Sequence, residues 1–389
     1  MAQNGREVQI IGAVRTPIGR GHPEKGIFRN LHATELLGQT YSEVLARSNV
    51  APSEVELVLA GCVLQFGVQS FDVARNAWLQ EGLPIEASAT TLDTQCGSGQ
   101  QSVGFASSLI ASGIHDVVLG SGVEHMSVNS FDTAYAIHDQ YGSPWTEKFF
   151  EHHNVQGQGM GAEMIVDKWN IQREDMDQLA LRSHQNAARA TESGDFAREI
   201  VPVRADGEVH TKDQGIRYDA NIESLRSLKP IFKPGGTITA GLSSQVSDGA
   251  AAVVLASADK ARELGVRGRA RIIDHTSVGC DPVKMLEGPI PATQRILARN
   301  GLSIGDIDII EINEAFAPVV LAFADELKVD LTKINPRGGA MALGHPLGST
   351  GARLITTLLH ELEDYDKEWG IVTMCCGGGI GTATLIQRI

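Results

Sequence analysis

Glycine clusters set directly beside short apolar runs constrain this chain more than any other feature. The sequence holds 42 glycines in 389 residues, above the usual share of about 7%, and they crowd the ends of strand-like runs. A glycine at such a junction lets the backbone turn tightly and approach a neighbour or ligand closely. VQIIGAVRTP and VELVLAGCVLQ read as buried strands that empty into loops. The stretch ATTLDTQCGSGQQSVGFASSLIASGIHDVVLGSGVEHMS then runs strand, glycine-rich turn, helix, strand. In it Val103, Ala106, Leu109 and Ile110 share one helical face, Gly113 suits a C-terminal cap, and residues 117–119 resume a strand.

The C-terminal stretch has the same grammar. KINPRGGAMALGHPLGST leads into ARLITTLLHELE, where Ile355, Leu358, Leu359 and Leu362 share a face, and GIVTMCCGGGIGTATLIQRI returns as a strand pair around glycines. Two halves repeating one design predict two related α/β units, each a largely buried sheet covered by helices. The first half spans 1–119 and is completed by about 246–269; the second spans 270–389. Polar and aromatic segments between 120 and 245 break the pattern and read as a large insertion. Within it MIVDKWNIQREDMDQLALRSHQNAARA forms two helical pieces with a turn near Asn170, and DQGIRYDANIESLRSLKPIFKPGG a loop carrying basic residues.

Acidic residues outnumber basic ones by 47 to 33, a formal charge of −14. That balance argues against gripping a phosphate backbone, so nucleic acid is not an expected partner. Five cysteines, an odd number without the paired spacing of a zinc site or disulfide frame, point to reduced thiols in an intracellular compartment. The opening MAQNGREVQIIGAVRTP lacks the apolar run of a signal peptide, and no stretch of about 18 uncharged apolar residues occurs. A cytoplasmic protein without membrane insertion is the expectation.

Chemistry-bearing residues stand at the glycine junctions. Cys96 in DTQCGSGQQ sits where a strand meets a helix, and unpaired backbone N–H groups there favour an anionic sulfur; a small buried cysteine is the alternative. His345 in GGAMALGHPLGSTG occupies the equivalent junction of the second half, placed to accept a proton or simply to tie down its loop. That string lacks the GKT or GKS ending of a nucleotide-binding loop. Cys375 and Cys376 in MCCGGGIG provide either a proton donor and acceptor beside free glycine N–H groups or ordinary strand-end residues. Asn313, after the apolar run IDII, orients a water or caps the following helix. Cys62 and Cys280 read as core or loop residues.

Taken together, these loops resemble the thiolases, the family of acetyl-CoA acetyltransferases and 3-ketoacyl-CoA thiolases. The resemblance runs from VRTPIGR through QCGSGQQ, TAGLSSQVSDGAAAVV, EINEAFA and GGAMALGHPLGSTGAR to CCGGGIG, nearly the whole chain. It implies a duplicated five-layer α/β/α/β/α core, an inserted loop domain that holds coenzyme A, and assembly as a homodimer or homotetramer. Motif by motif, Cys96 matches the acyl-accepting nucleophile, His345 the histidine that activates it, and Cys375 the second thiol, with Cys376 at a variable position. Asn313 matches the asparagine that orients a water in one oxyanion hole, and the N–H groups of Cys96 and Gly377 would form the other. Phe316 resembles the aromatic wall near the acyl group, Ser244 a contact to the pantetheine arm and Arg217 a contact to the nucleotide end. Residues 212–233 hold five Lys or Arg against three Asp or Glu, a basic strip on an acidic chain.

Two departures stand out from the family pattern. Gly157, Gln158 and Gly159 occupy the place of a common His-Met-Gly, which implies a differently shaped acyl pocket, and His125 replaces a usual serine. QGQGMGAEMIVDKW, GCVLQFGVQS and LHATELLG look more like thiolases associated with steroid or other bulky acyl degradation. The implied reaction is cleavage of a 3-oxoacyl-CoA, or its reverse condensation, with coenzyme A and acyl-CoA as substrates and no metal or redox cofactor. A non-catalytic acyl-CoA or lipid carrier on the same scaffold, a cysteine hydrolase and a ketoacyl synthase are the rival readings; the last usually pairs its cysteine with two histidines.

Overall fold

The computed structural model describes residues 5–389. The strands, in chain order, are β1 (Val8–Arg15), β2 (Gly19–Arg20), β3 (Leu57–Gly61), β4 (Ser88–Leu92), β5 (Val117–His125), β6 (Val203–Ala205), β7 (Glu208–His210), β8 (Ser247–Ser257), β9 (Ala270–Gly279), β10 (Ile309–Ile312), β11 (Trp369–Cys376) and β12 (Ile380–Arg388). Hydrogen bonding orders the large sheet β10-β11-β12-β9-β1-β8-β5-β3-β4, with β2 paired to β8 and β6-β7 forming a separate hairpin.

That order contains one pattern twice. In the first half β4 and β5 flank β3 in parallel, β8 joins β5 antiparallel, and β1 closes the row. In the second half β11 lies parallel to β10, β12 joins it antiparallel, and β9 closes the row; the counterpart of β4 shrinks to a single parallel bridge between Ile310 and Ile334. The closing strands of the two rows pair with each other antiparallel, Gln9 with Arg271 and Ile10 with Ala270. Equivalent strands meeting in opposite directions define an approximate two-fold axis.

Side-chain alternation along each strand assigns the layers. Ile11, Val14, Val58 and Val254 pack against the outer helices Ala33–Ser48 and Val73–Gln80. Ile10, Ala13, Leu59 and Val253 turn the other way, onto the paired helices Ser98–Ala111 and Thr350–Asp364, whose far side meets Val372, Met374 and Ile386. Beyond the second sheet Ile310, Ile312, Ile371 and Leu385 cover helices Pro289–Asn300 and Ala317–Leu327. Five layers result. The one-sided stripe expected on the last glycine-led helix is an under-reading: Thr350–Leu362 is buried on every face, because a central helix has a sheet or helix on all sides.

Between β5 and β8 the chain leaves the sheet. Helix Gln158–Trp169 ends at Asn170 in a left-handed conformation (φ 50°), and helix Arg173–Ser193 follows, the expected pair with its turn. The basic loop differs in carrying a short helix, Ile222–Arg226, capped by Asn221. No helix among the described residues is long and apolar enough to cross a membrane.

The central helices cross at their first turns, and only glycine permits the distance. A Cβ at residue 99 would lie 2.6 Å from the Gly348 carbonyl oxygen and 3.0 Å from the Ala352 nitrogen; one at 351 would collide with the backbone of Gln100. Rigid backbone rather than a flexible side chain is the obstacle. Gly99→Ala is therefore expected to cost about 1–3 kcal/mol of stability by urea unfolding. Gly279→Ala, with nothing within 4 Å of the added carbon, should stay within about 0.5 kcal/mol.

Candidate active site

Strand ends and glycine turns deliver the site. Cys96 follows the end of β4 by four residues, behind Gln95 held at φ 52°. Gly97 beside it lies against Cys376, and the Gln95 and Gln158 side chains flank Gly377; the polar N–H groups of Gly377, of Cys96 itself and of Gln158 act to lower its thiol. The helix begins two residues later at Ser98. Despite these donors, burial wins, pushing the thiol from 9.0 up to about 11, which opposes the thiolate by about 3 kcal/mol. The anionic sulfur expected from the junction is thus corrected: desolvation outweighs the hydrogen bonds, and the resting group is a thiol.

His345 stands in the equivalent loop of the second half. Its Nδ1 lies 2.7 Å from Thr350 Oγ1, while that hydroxyl donates to the Pro346 carbonyl at 2.8 Å. With the hydroxyl proton so directed, Thr350 must accept from Nδ1–H, leaving Nε2 as the unprotonated nitrogen. Asn313 Nδ2 donates to that Nε2 at 3.3 Å. Burial, assisted by the charge of Arg353, lowers His345 to about 3. Asn313 does not cap the next helix, whose N-cap is Phe316 without a side-chain bond.

The vicinal cysteines divide between two faces of β11. Cys375 packs on the side of Phe316, Val278 and Met285, and Cys376 on the central-layer side, against Gly97, where a Cβ would sit 2.7 Å from its sulfur. Burial raises the Cys375 thiol, and a charge on Cys96 raises it further. Asn313 donates its backbone N–H to Thr373, two residues before Cys375. His345, Asn313 and Cys375 are thereby linked in one row. The loop of His345 meets that of Cys96 at the Gly99–Gly348 contact.

Three supports were not singled out from sequence: Thr350, Glu124 and Gln245. The buried carboxylate of Glu124 accepts N–H groups from Val63, Leu64 and Gly348 at 2.8–3.0 Å and the Gln69 amide at 2.8 Å, tying the β3 loop to the His345 loop. Gln245 Nε2 donates to the carbonyls of Gly215, Met341 and Ala342 at 2.9–3.1 Å, and its own carbonyl accepts the His345 N–H at 3.0 Å. The one signal for them was position, each lying within a glycine-flanked motif.

The substrate-contact candidates lie further out. Arg217 and Gln245 line a cavity of about 170 Å³ with His184, Asn221, Ser224 and Met341; Cys96 does not line it. Ser244 donates its backbone N–H to Ala315 at 2.9 Å, and Ser243 bridges to Phe316, whose ring meets Phe232 edge-on with centroids 5.7 Å apart. In the basic strip Arg226 pairs with Glu174, and Lys233 approaches Glu163 and Asp167. His125, the serine replacement, is buried, with Nε2 2.8 Å from the Phe28 carbonyl.

A two-fold duplicated α/β core in which the glycine turns around buried Cys96, His345 and Cys376 meet is a scaffold suited to cysteine-dependent acyl transfer. Comparison with known proteins makes this specific. The "Thiolase, N-terminal domain" family model matches residues 8–259 and the "Thiolase, C-terminal domain" model residues 266–388, and the chain belongs to the thiolase family. It is 42% identical to the steroid 3-ketoacyl-CoA thiolase FadA6 of Mycobacterium tuberculosis, covering 99% of this chain and 96% of that one. It is 43% identical to a 3-ketoacyl-CoA thiolase of Vibrio vulnificus over 98% of this chain and 100% of the other. Among solved structures, the Bacillus anthracis acetyl-CoA acetyltransferase superposes with a TM-score of 0.90 at 37% identity over 100% of both chains. Human mitochondrial 3-ketoacyl-CoA thiolase in complex with CoA gives 0.89 at 35% identity, covering 99% and 98%.

A thiol at about 11 and an imidazole at about 3 leave both groups neutral across the physiological range. Acetylation of Cys96 by acetyl-CoA, followed by rapid-quench mass spectrometry, should then show a rate constant that is level from about pH 5 to 9. An inflection near 6.5, the ordinary histidine value, would contradict the neutral pair.

Proposed function

We propose that this thiolase cleaves a 3-oxoacyl-CoA into acetyl-CoA and a shortened acyl-CoA, and catalyses the reverse condensation. The observation that carries the reading is the meeting of the Cys96 turn with the Cys376–Gly377 turn, where Gly97 lies against the Cys376 sulfur and Gln95 lies against Gly377. Cys96 attacks the 3-keto carbon while its proton passes to His345 Nε2. The bond between C2 and C3 then breaks, its electron pair goes to C2 as a thioester enolate, and Cys375 protonates that carbon. Free coenzyme A attacks the acyl-Cys96 thioester, giving its thiol proton to Cys375, and His345 returns its proton to the departing Cys96 sulfur. Atoms and charges balance with coenzyme A alone, and no resident metal or redox cofactor is proposed.

Backbone donors at Cys96 and Gly377 would hold the acyl oxyanion, and Asn313, through a water, the enolate oxygen. The loop domain, 120–245, would bind coenzyme A, with Arg217 at the nucleotide end, Ser244 along the pantetheine arm and Phe316 at the acyl end. The names of the relatives, one of them a steroid thiolase, support a 3-ketoacyl and bulky substrate. Assembly would be a homodimer or homotetramer in the cytoplasm. Its support is an open edge: among the described residues β4 has no strand beyond it, and nearby Phe71 and Ile85 are 92% and 71% exposed, a surface suited to pairing with a second copy.

The carrier reading is disfavoured by the assembled donors, since a carrier has no use for an oxyanion hole. Cys96→Ala is expected to abolish 3-oxoacyl-CoA cleavage and the acyl adduct seen by intact mass; cleavage at the normal rate would refute the assignment. Cys375→Ser should keep acylation by a simple acyl-CoA and lose condensation, and equal loss of both would refute its acid–base role. Omitting free coenzyme A should stop turnover at the acyl-enzyme, whereas continued turnover would indicate a hydrolase.

A further inference from the structure

The Gly157-Gln158-Gly159 segment places a polar side chain beside the turn that follows Cys376. Gln158 is the first residue of helix Gln158–Trp169, entered through Gly157 at φ 88°. Its Nε2 would lie 3.4 Å from a Cβ placed on Gly377, with Gln95 Oε1 at 2.9 Å from the same point, so both side chains flank that glycine. The amide is held on a rigid support. Glu163, one and a half turns along the helix, accepts the Thr237 and Ile238 N–H groups at 2.8–3.0 Å. Gly159 gives its side-chain space to the Phe232 ring, which stacks edge-on against Phe316.

We propose that Gln158 is a catalytic residue of this thiolase, its side-chain amide acting with the Cys96 and Gly377 N–H groups as a third donor to the oxyanion formed on the acyl-Cys96 carbonyl. The inference rests on the acyl-transfer reading above. At rest the amide lies beside Gly377, next to the Cys96 loop, and acts to lower the Cys96 thiol; as sulfur bonds to carbon, negative charge moves to the carbonyl oxygen two bonds from the sulfur, still within reach of a donor on a flexible side chain. A methionine thioether at this position has no proton to give. The site therefore gains a directed donor for acyl groups whose own bulk excludes solvent from the oxyanion. Gln95 holds its amide nitrogen toward Asp93, which leaves its carbonyl toward Gly377 and makes it a boundary rather than a donor.

The test compares wild type with Gln158→Met and Gln158→Glu in rapid-quench acetylation of Cys96 by acetyl-CoA, thiolysis of the adduct, and iodoacetamide alkylation across pH. Removing one oxyanion donor slows the step by about 10²–10³-fold in well-studied hydrolases; for a side-chain donor assisted by two backbone ones, about 10–100-fold is expected for Gln158→Met in both acylation and thiolysis. The KM for coenzyme A should not change, and alkylation of Cys96 should shift to higher pH. Gln158→Glu, of the same size, should lose rate to a similar extent or more, since a carboxylate repels the oxyanion. Wild-type rates in both variants, or a loss confined to KM, would overturn the role. Should wild type form no adduct on Cys96 at all, the acyl-transfer reading itself falls, a different outcome from variants that acylate normally.

Discussion

Everything at this centre depends on two helix starts lying closer than side chains allow. Gly99 meets Gly348 and the nitrogen of Ala352, and Gly351 meets Gln100, so the first turns of the two central helices touch through backbone alone. Each helix carries a candidate site residue in the loop just before it, Cys96 ahead of Ser98 and His345 ahead of Thr350. Side chains at this crossing would wedge the helices apart, and the reactive loops with them, because close-packed interiors transmit displacement rather than absorb it.

Duplication provides the frame, and divergence within it provides the chemistry. Strand order and directions match between halves, so Cys62, just after β3, corresponds to Asn313, just after β10, and Glu124 near the end of β5 corresponds to Cys375 near the end of β11. In the second-half pair Asn313 meets His345. The first-half pair turns to structure: Glu124 gathers four donors, one of them the Gly348 N–H, and Cys62 contacts the same carboxylate at 3.9 Å. One half of the repeat thus anchors the histidine loop carried by the other. An active site built on a pseudo-two-fold axis needs only one competent copy of each position, which frees the second to act as a support.

Much of this was legible beforehand because glycine and hydrophobic periodicity are local signals. The repeated strand-turn-helix-strand order could be read in both halves, and the motif junctions singled out Cys96, His345, Cys375 and Asn313 as candidates. Local signals fail where distant chain segments decide. Cys96 is preceded by a left-handed residue and followed by a helix, a setting that favours a thiolate, yet the layers closing over it reverse the balance. Thr350 looks like an ordinary helix-start residue until the Pro346 carbonyl takes its proton and fixes the imidazole tautomer. Gln245 joins Gly215 to residues 341–342, about a hundred positions later, a link no pattern in one stretch reveals. The parity of adjacent cysteines was visible as alternation, but which face held the chemistry required the second sheet.

Burial has a further consequence for how such a site works. Thiols and imidazole are all pushed toward their neutral forms, so reactivity cannot reside in a standing ion pair. In the proposed mechanism nucleophile and base would instead become charged only as the carbonyl is attacked, when the developing oxyanion would meet donors already in place. Preorganised N–H groups then matter more than the resting acidity of any one sulfur, which explains why the surrounding polar groups are devoted to fixing loops. Glu124, Gln245 and Thr350 each hold a turn or a tautomer, and none needs to change charge during the reaction. A neutral resting state also protects two adjacent thiols from oxidation, because thiolates and not thiols are the species that react with oxidants.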